Sequence, residues 1–168
     1  MNEQSKQVDD MLAYNLNLSY NDRQYVGDNP FDFKQINYGN NNVEGPEALH
    51  GTHVAGIAGA VGNNGIGIAG AAWNVKLMPI KVFQSNGVGN SSTIAQGVEY
   101  AANNGATIQN MSFGSYAESF TLRNALENAY ATSVLVAAAG NSALCIGPGI
   151  CPDKSKGAPS YPGAYTYV

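Results

Sequence analysis

Residues 134–139 read Val-Leu-Val-Ala-Ala-Ala, and Gly140 and Asn141 follow directly. An unbroken apolar run of this length is typical of a strand whose two faces are both covered, as in a parallel sheet. Glycine and asparagine then end the run, because both residues favour turns. The stretch therefore predicts a buried parallel strand, and its carboxyl end is the kind of position where such sheets carry their functional sites.

Helix and strand patterns alternate upstream of this strand. Residues 119–132 carry apolar side chains at helical spacing, residues 107–113 are strand-like, and a helix is predicted from a cap at Ser91 or Ser92 to Gly105. A further strand is predicted over Val75–Phe83, where Pro79 indicates an edge or a bulge. This alternation predicts an α/β fold with a mostly parallel central sheet flanked by helices.

The first part of the chain has a different character. Residues 1–42 show no sustained period of 2 or 3.6, so we expect irregular structure there, with one short helix near Val8–Tyr14. Residues 43–168 carry the periodic pattern and form the predicted core segment of the domain. Within it, Gly51–Val61 is a run of small residues that predicts a helix packed closely against a sheet, and hence buried.

Composition excludes several classes of partner. Charged residues make up 12% of the chain and the net charge is −4, with no basic cluster, so we expect neither nucleic acid nor an anionic membrane as a partner. No apolar stretch approaches the roughly 20 residues of a membrane helix. The N-terminus lacks the apolar segment of a signal peptide, although the low charge favours secretion. Cys145 and Cys151 are predicted to form either a disulfide or a pair of free thiols, and both interpretations stay open.

Two histidines stand among small residues in the segment His50–Gly56, which reads His-Gly-Thr-His-Val-Ala-Gly. Histidine titrates near neutral pH and is the usual side chain for moving protons in hydrolysis. Alternatively, His50 has only a structural role, and backbone groups satisfy the hydrogen-bonding capacity of its buried ring. A zinc site built from both histidines and the two cysteines is disfavoured, because the cysteine spacing is wide and the His-Glu-x-x-His pattern is absent.

Four segments together resemble the subtilases, the subtilisin-like serine proteases, and they occur in the order typical of that family. The segments are His50–Gly56, Ile108–Gly114, Ala137–Asn141 and Tyr161–Gly163. The resemblance implies a three-layer subtilisin-like fold, of which this chain carries a part. It also implies a serine endopeptidase whose substrate is a polypeptide.

The resemblance assigns roles to individual residues. His50 would be the general base, and Asn141 would donate a hydrogen bond to the oxyanion of the transition state. An extended substrate would lie between Ser112-Phe113-Gly114 and the glycines Gly87 and Gly89. The main specificity pocket, lined by Ala138, Ala139 and Gly140, would favour a large apolar side chain. His53 would have a packing role.

A glycine-rich stretch, Asn63–Gly70, resembles a calcium loop of some subtilases, with carbonyl oxygens of Asn63, Ile66 and Ile68 as ligands. A plain glycine-rich loop is the other interpretation, and it is the one we favour because the remaining ligands have no match in the chain. No cofactor is expected to be needed for the chemistry.

Two parts of the implied triad have no counterpart among the 168 residues. No Asp-Ser/Thr-Gly follows an apolar run, and no Gly-Thr-Ser occurs anywhere in the sequence. We therefore expect an incomplete catalytic domain that is inactive and poorly stable alone, from an enzyme that is secreted or in the cell envelope in its full-length form. The alternatives are a natural short module that binds peptides without cleaving them, and a structural or metal-binding domain.

Overall fold

The computed structural model of the chain describes residues 5, 8, 9, 11–17, 19, 20, 27, 29, 31, 32, 35, 38–44, 48–84, 87–141 and 159–168. The chain divides into two compact units, Met1–Asn42 and Val43–Val168. In the first unit, a π-helical turn spans Met11–Asn15 and overlaps the short helix expected there. Cys145 and Cys151 lie outside the described residues, so their pairing stays a prediction.

The second unit contains three α-helices and two strands among its described residues. In chain order they are α1 (Leu49–Gly59), α2 (Ser91–Asn103), β1 (Ile108–Met111), α3 (Phe120–Tyr130) and β2 (Val134–Ala137). From α2 onward each element lies inside the range that its sequence pattern predicts. The alternation of helix and strand is therefore the one expected for an α/β fold.

Side-chain caps explain where two of the helices begin. Asn90 caps α2, because its Oδ1 accepts a hydrogen bond from Ser92 N at 2.8 Å. Ser119 caps α3, with its Oγ accepting from Leu122 N at 3.3 Å. Each oxygen satisfies an amide that has no partner within the helix. The cap expected at Ser91 or Ser92 lies one residue earlier, at Asn90.

The two strands pair in parallel, with Ile108 opposite Val134 and Met111 opposite Ala137. Helices α2 and α3 pack against each other and bury the apolar stripe that each carries. Leu126 of α3 lies at the centre of this core and has no exposed surface. Met111 and Leu135 extend the core from the sheet, because they point toward the helices from β1 and β2.

The opposite face of the two-stranded sheet is not covered by any described residue. Ile108 and Val134 are 66% and 60% exposed, and Val136 is 45% exposed. The expectation that both faces of the last strand are covered is therefore not met within the described part of the chain. Both helices that pack on these strands, α2 and α3, lie on the same face of the sheet, so they cover only that face.

Two further expectations differ from the structure. Helix α1 forms as predicted but no side chain in it is buried, and Ile57 is 65% exposed. The glycines of α1 do allow a neighbouring segment to pack closely against the helix. That segment is the loop that follows α1, where Val75 and Leu77 lie beside Gly59. The strand expected over Val75–Phe83 does not form a ladder. Phe83 makes an isolated bridge to Gly89, and no described strand pairs with the rest of the stretch, which lies beside helices instead.

Candidate active site

The carboxyl ends of β1 and β2 lie side by side and define one edge of the sheet. The ladder ends at Met111 and Ala137, and one more bond follows, from Ala138 N to Met111 O at 3.1 Å. Residues 112–114 and 138–141 therefore leave the sheet together. The structure thus brings two of the segments expected at the site next to each other, as the parallel topology requires.

His50 reaches the same edge from the first turn of α1. Its Nε2 lies 3.0 Å from the carbonyl oxygen of Ser112, the first residue after β1. The imidazole is exposed, and no side chain caps the start of α1. The segment that carries the histidine motif is therefore in contact with the segment expected to pair with a peptide.

Residues 159–163 lie behind both strand ends. Ser115 and Tyr161 form a two-bond antiparallel bridge, with both N–O distances at 2.8 Å. Ser160 is buried, and its Oγ would lie 2.8 Å from a Cβ added at Gly114 and 3.9 Å from one added at Gly140. The sequence pattern did not predict Ser160 as a site residue. Its position directly before the Tyr-Pro-Gly motif is the one feature of the sequence that points to it.

Gly140 and Asn141 complete the second strand end. Gly140 has a φ of +89°, a conformation that favours glycine, and it turns the chain sharply out of the sheet. Asn141 is exposed at this turn. Among the described residues none hydrogen-bonds its side chain, so the amide is available to donate to a ligand.

A turn that includes Gly87 and Gly89 stands across from Ser112-Phe113-Gly114. Phe83 and Gly89 form a bridge that closes the turn, and the Gln84 N to Val88 O bond measures 3.0 Å. The rings of Phe83 and Phe113 lie 5.1 Å apart. Between the two segments is a cavity of about 240 Å³, with Gly87, Gly89, Phe113 and Gly114 in its wall. The two predicted walls therefore face one shared space.

Asn110 is a second residue that the sequence reasoning did not single out. Its Nδ2 donates to Ser112 Oγ at 2.8 Å from the exposed face of β1. This bond holds the Ser112 side chain on that face, away from the core. In the sequence, Asn110 stands out only as a polar residue at an alternating strand position. That pattern is also typical of an ordinary solvent-exposed strand face.

The charged and metal-binding groups near the site are few. Among residues 48–84, 87–141 and 159–168, His50 forms no ion pair with a carboxylate. Within the described part of the chain, no group of three His, Cys, Asp or Glu side chains could hold a metal ion. The described helices include none that is both long and apolar enough to cross a membrane.

The loop over Asn63–Gly70 is exposed apart from Gly70. Asn64 Oδ1 accepts from Ile66 N at 3.0 Å and shapes the turn. Among the described residues, no backbone amide donates to the carbonyls of Asn63, Ile66 or Ile68. Free carbonyl oxygens in an exposed loop fit the ligand preference of calcium.

Residues 12–168 match the family model described as the Subtilase family. Over 94 residues, 55% of the chain, it is 53% identical to alkaline elastase YaB from Bacillus sp. (strain YaB), of which it covers 25%. It is 49% identical to Subtilisin Savinase from Lederbergia lenta, with 35% of that relative covered. The chain thus spans about a quarter to a third of these relatives, which fits an incomplete domain.

Solved structures agree with this match. Sphericase aligns with a TM-score of 0.60 at 37% identity, over 65% of this chain and 37% of that chain. A psychrophilic protease aligns with a TM-score of 0.59 at 34% identity, over 77% of this chain and 40% of that chain. Both likenesses support a partial α/β fold of the subtilisin kind.

Proposed function

The chain belongs to the subtilase family, and from this membership we propose that it contributes the general base and the oxyanion donor of a serine endopeptidase. The observation that carries the proposal is the contact at the sheet edge, where His50 Nε2 lies 3.0 Å from Ser112 O. It joins the histidine segment to the segment that would hold the substrate. The nucleophilic serine and the carboxylate of the triad have no matching motif among the 168 residues.

His50 would move the protons of the reaction. As general base it takes the proton of the attacking hydroxyl, and as general acid it returns that proton to the leaving amine. Its exposed position at the start of α1 supports this role, because the ring can reach a bound peptide without crossing the core. A carboxylate at Nδ1 would hold the ring in the tautomer that leaves Nε2 basic.

Asn141 would stabilise the negative charge that develops on the carbonyl oxygen of the scissile bond. A pre-positioned amide donor lowers the barrier because it needs no reorganisation as the charge forms. The turn at Gly140 supports this role, since it directs the chain out of the sheet beside the Ser112 segment. The side-chain amide has no partner among the described residues.

An extended peptide would bind as an added strand between Ser112-Phe113-Gly114 and the turn at Gly87 and Gly89. The cavity of about 240 Å³ between these segments supports this placement. The primary side chain would lie beside Ala138, Ala139 and Gly140, which do not line that cavity; their small size leaves room for a large apolar group. Ser160 adds one buried hydroxyl close to Gly114 and Gly140.

Two accompanying proposals follow from the family. The enzyme would act outside the cell or in the cell envelope, in keeping with the low charge of the chain. The second is that any structural calcium ion would be held by the carbonyls of Asn63, Ile66 and Ile68, without a part in the chemistry; the plain glycine-rich loop stays the favoured interpretation of this stretch. No cofactor is needed for the hydrolysis.

A hybrid enzyme tests the proposal. Residues 49–141 of this chain replace the matching segment of Subtilisin Savinase, and hydrolysis of a chromogenic peptide is measured. We expect an active hybrid, in which His50→Ala removes several orders of magnitude of kcat. In the same hybrid Asn141→Ala lowers kcat by about 100- to 1,000-fold, the loss known for an oxyanion donor in subtilisin.

His53→Ala is the matched control, because His53 lies one turn further along α1 and has no proposed chemical role. It should leave kcat close to that of the hybrid. A hybrid with native circular dichroism but no hydrolysis would contradict the proposed function. Equal losses for the two histidine variants would contradict the assignment of the base.

The chain by itself should not hydrolyse peptides at a protease rate. Without the nucleophile, the oxyanion donor and the cleft can give only a residual acceleration. Turnover of a chromogenic tetrapeptide by the purified chain, compared with the His50→Ala variant, measures this directly. Turnover at ordinary protease rates that His50→Ala removes would show that our expectation of an inactive chain is wrong.

A further inference from the structure

The tripeptide Asn-Asn-Gly occurs twice in the chain, at residues 63–65 and at residues 103–105. An asparagine that precedes glycine is open to an intramolecular reaction, because glycine has no side chain to hinder its own backbone nitrogen. In that reaction the glycine nitrogen attacks the side-chain amide carbon of the asparagine. The identical tripeptide gives the two sites the same local chemistry, so a difference in their reactivity has to come from the structure.

The general surroundings of the two sites also match. Asn64, Gly65, Asn104 and Gly105 are all exposed. Both glycines have a positive φ, +70° at Gly65 and +83° at Gly105, and a Cβ added at either would meet no atom within 4 Å. Exposure and crowding therefore do not distinguish the two sites, and their hydrogen bonds do.

At the second site the asparagine side chain points back along α2. Asn104 is the C-terminal cap of this helix, and its Nδ2 donates to Tyr100 O at 2.8 Å. Gly105 N, the nitrogen that would attack, donates to Ala102 O at 3.2 Å. Both bonds must break before the nitrogen can reach the amide carbon, so the end of α2 protects this site.

At the first site the asparagine side chain points forward along the chain. Asn64 Oδ1 accepts a hydrogen bond from Ile66 N at 3.0 Å, which holds the amide carbon on the side of the intervening nitrogen of Gly65. Attack by that nitrogen places negative charge on Oδ1, and a donor that is already in position stabilises such a charge. The loop after α1 thus presents the group that α2 turns away.

We propose that Asn64 is a site of spontaneous deamidation in this chain and that Asn104 is protected from the same reaction. Gly65 N loses its proton to solvent base and bonds to Asn64 Cγ; the Cγ–Nδ2 bond then breaks, and ammonia leaves with a proton from solvent. Water opens the cyclic imide at either carbonyl, which leaves aspartate or isoaspartate at position 64. Each event replaces a neutral amide with a carboxylate, and the reaction needs none of the groups assigned to the peptide cleft.

Mass spectrometry of the full 168-residue chain tests the proposal. The chain is kept at mildly alkaline pH in sodium sulfate, which favours the folded state, with a chelator so that no metal ion occupies the loop. Chymotryptic cleavage after Trp73 and Tyr100 then places the two sites on separate peptides.

We expect Asn64 to react about 10- to 30-fold faster than Asn104, the factor by which two hydrogen bonds of ordinary net strength reduce the reactive population. Equal rates, or a faster reaction at Asn104, would overturn the proposal.

The same incubation in guanidinium chloride supplies the reference for each site. Without the folded structure, the two Asn-Asn-Gly sites should react at the same rate. In the folded chain Asn104 should be slowed relative to this reference, whereas Asn64 should not. A ratio of rates that stays the same in denaturant would show that local sequence sets it, and the proposal would then be wrong.

Gly65→Ala identifies the attacking nitrogen, because its methyl group hinders that nitrogen without meeting another atom. Conversion of Asn64 should fall to the rate of Asn104 or below it, while conversion of Asn104 should not change. Gly105→Ala is the matched control and should leave the rate at Asn64 as it is in the parent chain. Undiminished conversion of Asn64 in Gly65→Ala would contradict the proposed route through Gly65 N.

Discussion

At the scale of single residues, Gly70 is the described glycine at which an added Cβ would approach a neighbour most closely. A Cβ added there would lie 2.3 Å from the backbone nitrogen of Ala60, and Gly70 N also donates to Ala60 O at 2.8 Å. The neighbour is backbone, which cannot rotate away as a side chain can. The end of α1 and the loop that follows it are therefore held together only if residue 70 has no side chain.

Gly70→Ala should lower the free energy of unfolding by about 3 kcal/mol, because the methyl group forces the two backbone segments apart. Gly51→Ala is the control: it is a helical glycine with no atom within 4 Å of an added Cβ. That change should be neutral or stabilise the chain by up to about 1 kcal/mol. Urea unfolding followed by circular dichroism measures both. Equal effects for the two variants would contradict the close approach at residue 70.

At the scale of elements, the caps decide where the helices begin, and α2 depends on Asn90 in particular. Its first turn is Ser91-Ser92-Thr93, which contains no acidic residue to stabilise the helix dipole. The Asn90 side chain therefore supplies the main local stabilisation of this end. Because α2 carries Ile94 and Val98 into the core, its first turn also positions part of the cavity wall.

Asn90→Ala should lower the free energy of unfolding by about 1 kcal/mol, because Ser92 N loses its acceptor. Asn128→Ala in α3 is the matched control, since Asn128 is exposed within the helix and caps nothing. Alanine at that position should be neutral or slightly stabilising. Thermal and urea unfolding of both variants test this. A smaller loss for Asn90→Ala than for Asn128→Ala would show that the cap contributes nothing.

At the scale of the Val43–Val168 unit, tyrosines tie the last described segment to α3. Tyr165 OH donates to Ser119 O at 3.1 Å and accepts from Ser119 N, and Tyr167 OH donates to Arg123 O at 2.8 Å. Burial raises the pKa of both phenols above the ordinary value of 10.0. The neutral phenols thus stabilise the unit, and their ionisation weakens it.

Stability should fall as the pH rises above about 10. The unfolded chain loses its phenol protons near the ordinary pKa, while the folded chain retains them to higher pH. The folded state then binds more protons, so the free energy of unfolding decreases with pH through the folded pKa. Urea unfolding between pH 8 and pH 11.5 measures the slope.

Tyr165→Phe should lower stability at pH 8 by about 1–2 kcal/mol, because Ser119 loses both of its bonds to the phenol. It should also flatten the alkaline slope. Tyr100→Phe on the exposed face of α2 is the control and should change neither quantity. An alkaline slope that is identical in Tyr165→Phe and the parent chain would contradict this role of burial.

The sequence alone determined the elements whose pattern is local and the family to which they belong. Helices α2 and α3 and both strands were predictable because capping residues, turn glycines and apolar periods act over a few neighbouring residues. The order of the four motifs identified the subtilases, and the family match agrees. The roles of His50, Asn141 and the cleft residues stay predictions.

Only the tertiary structure decided which groups meet. The strand expected over Val75–Phe83 needs a neighbour to pair with, and burial of α1 needs a covering surface; both depend on other segments, which a local pattern does not contain. The His50–Ser112 contact joins residues that are 62 positions apart, and Ser160 reaches Gly114 and Gly140 from beyond both strands. A sequence pattern records the period of one segment, whereas these contacts depend on where packing places several segments at once.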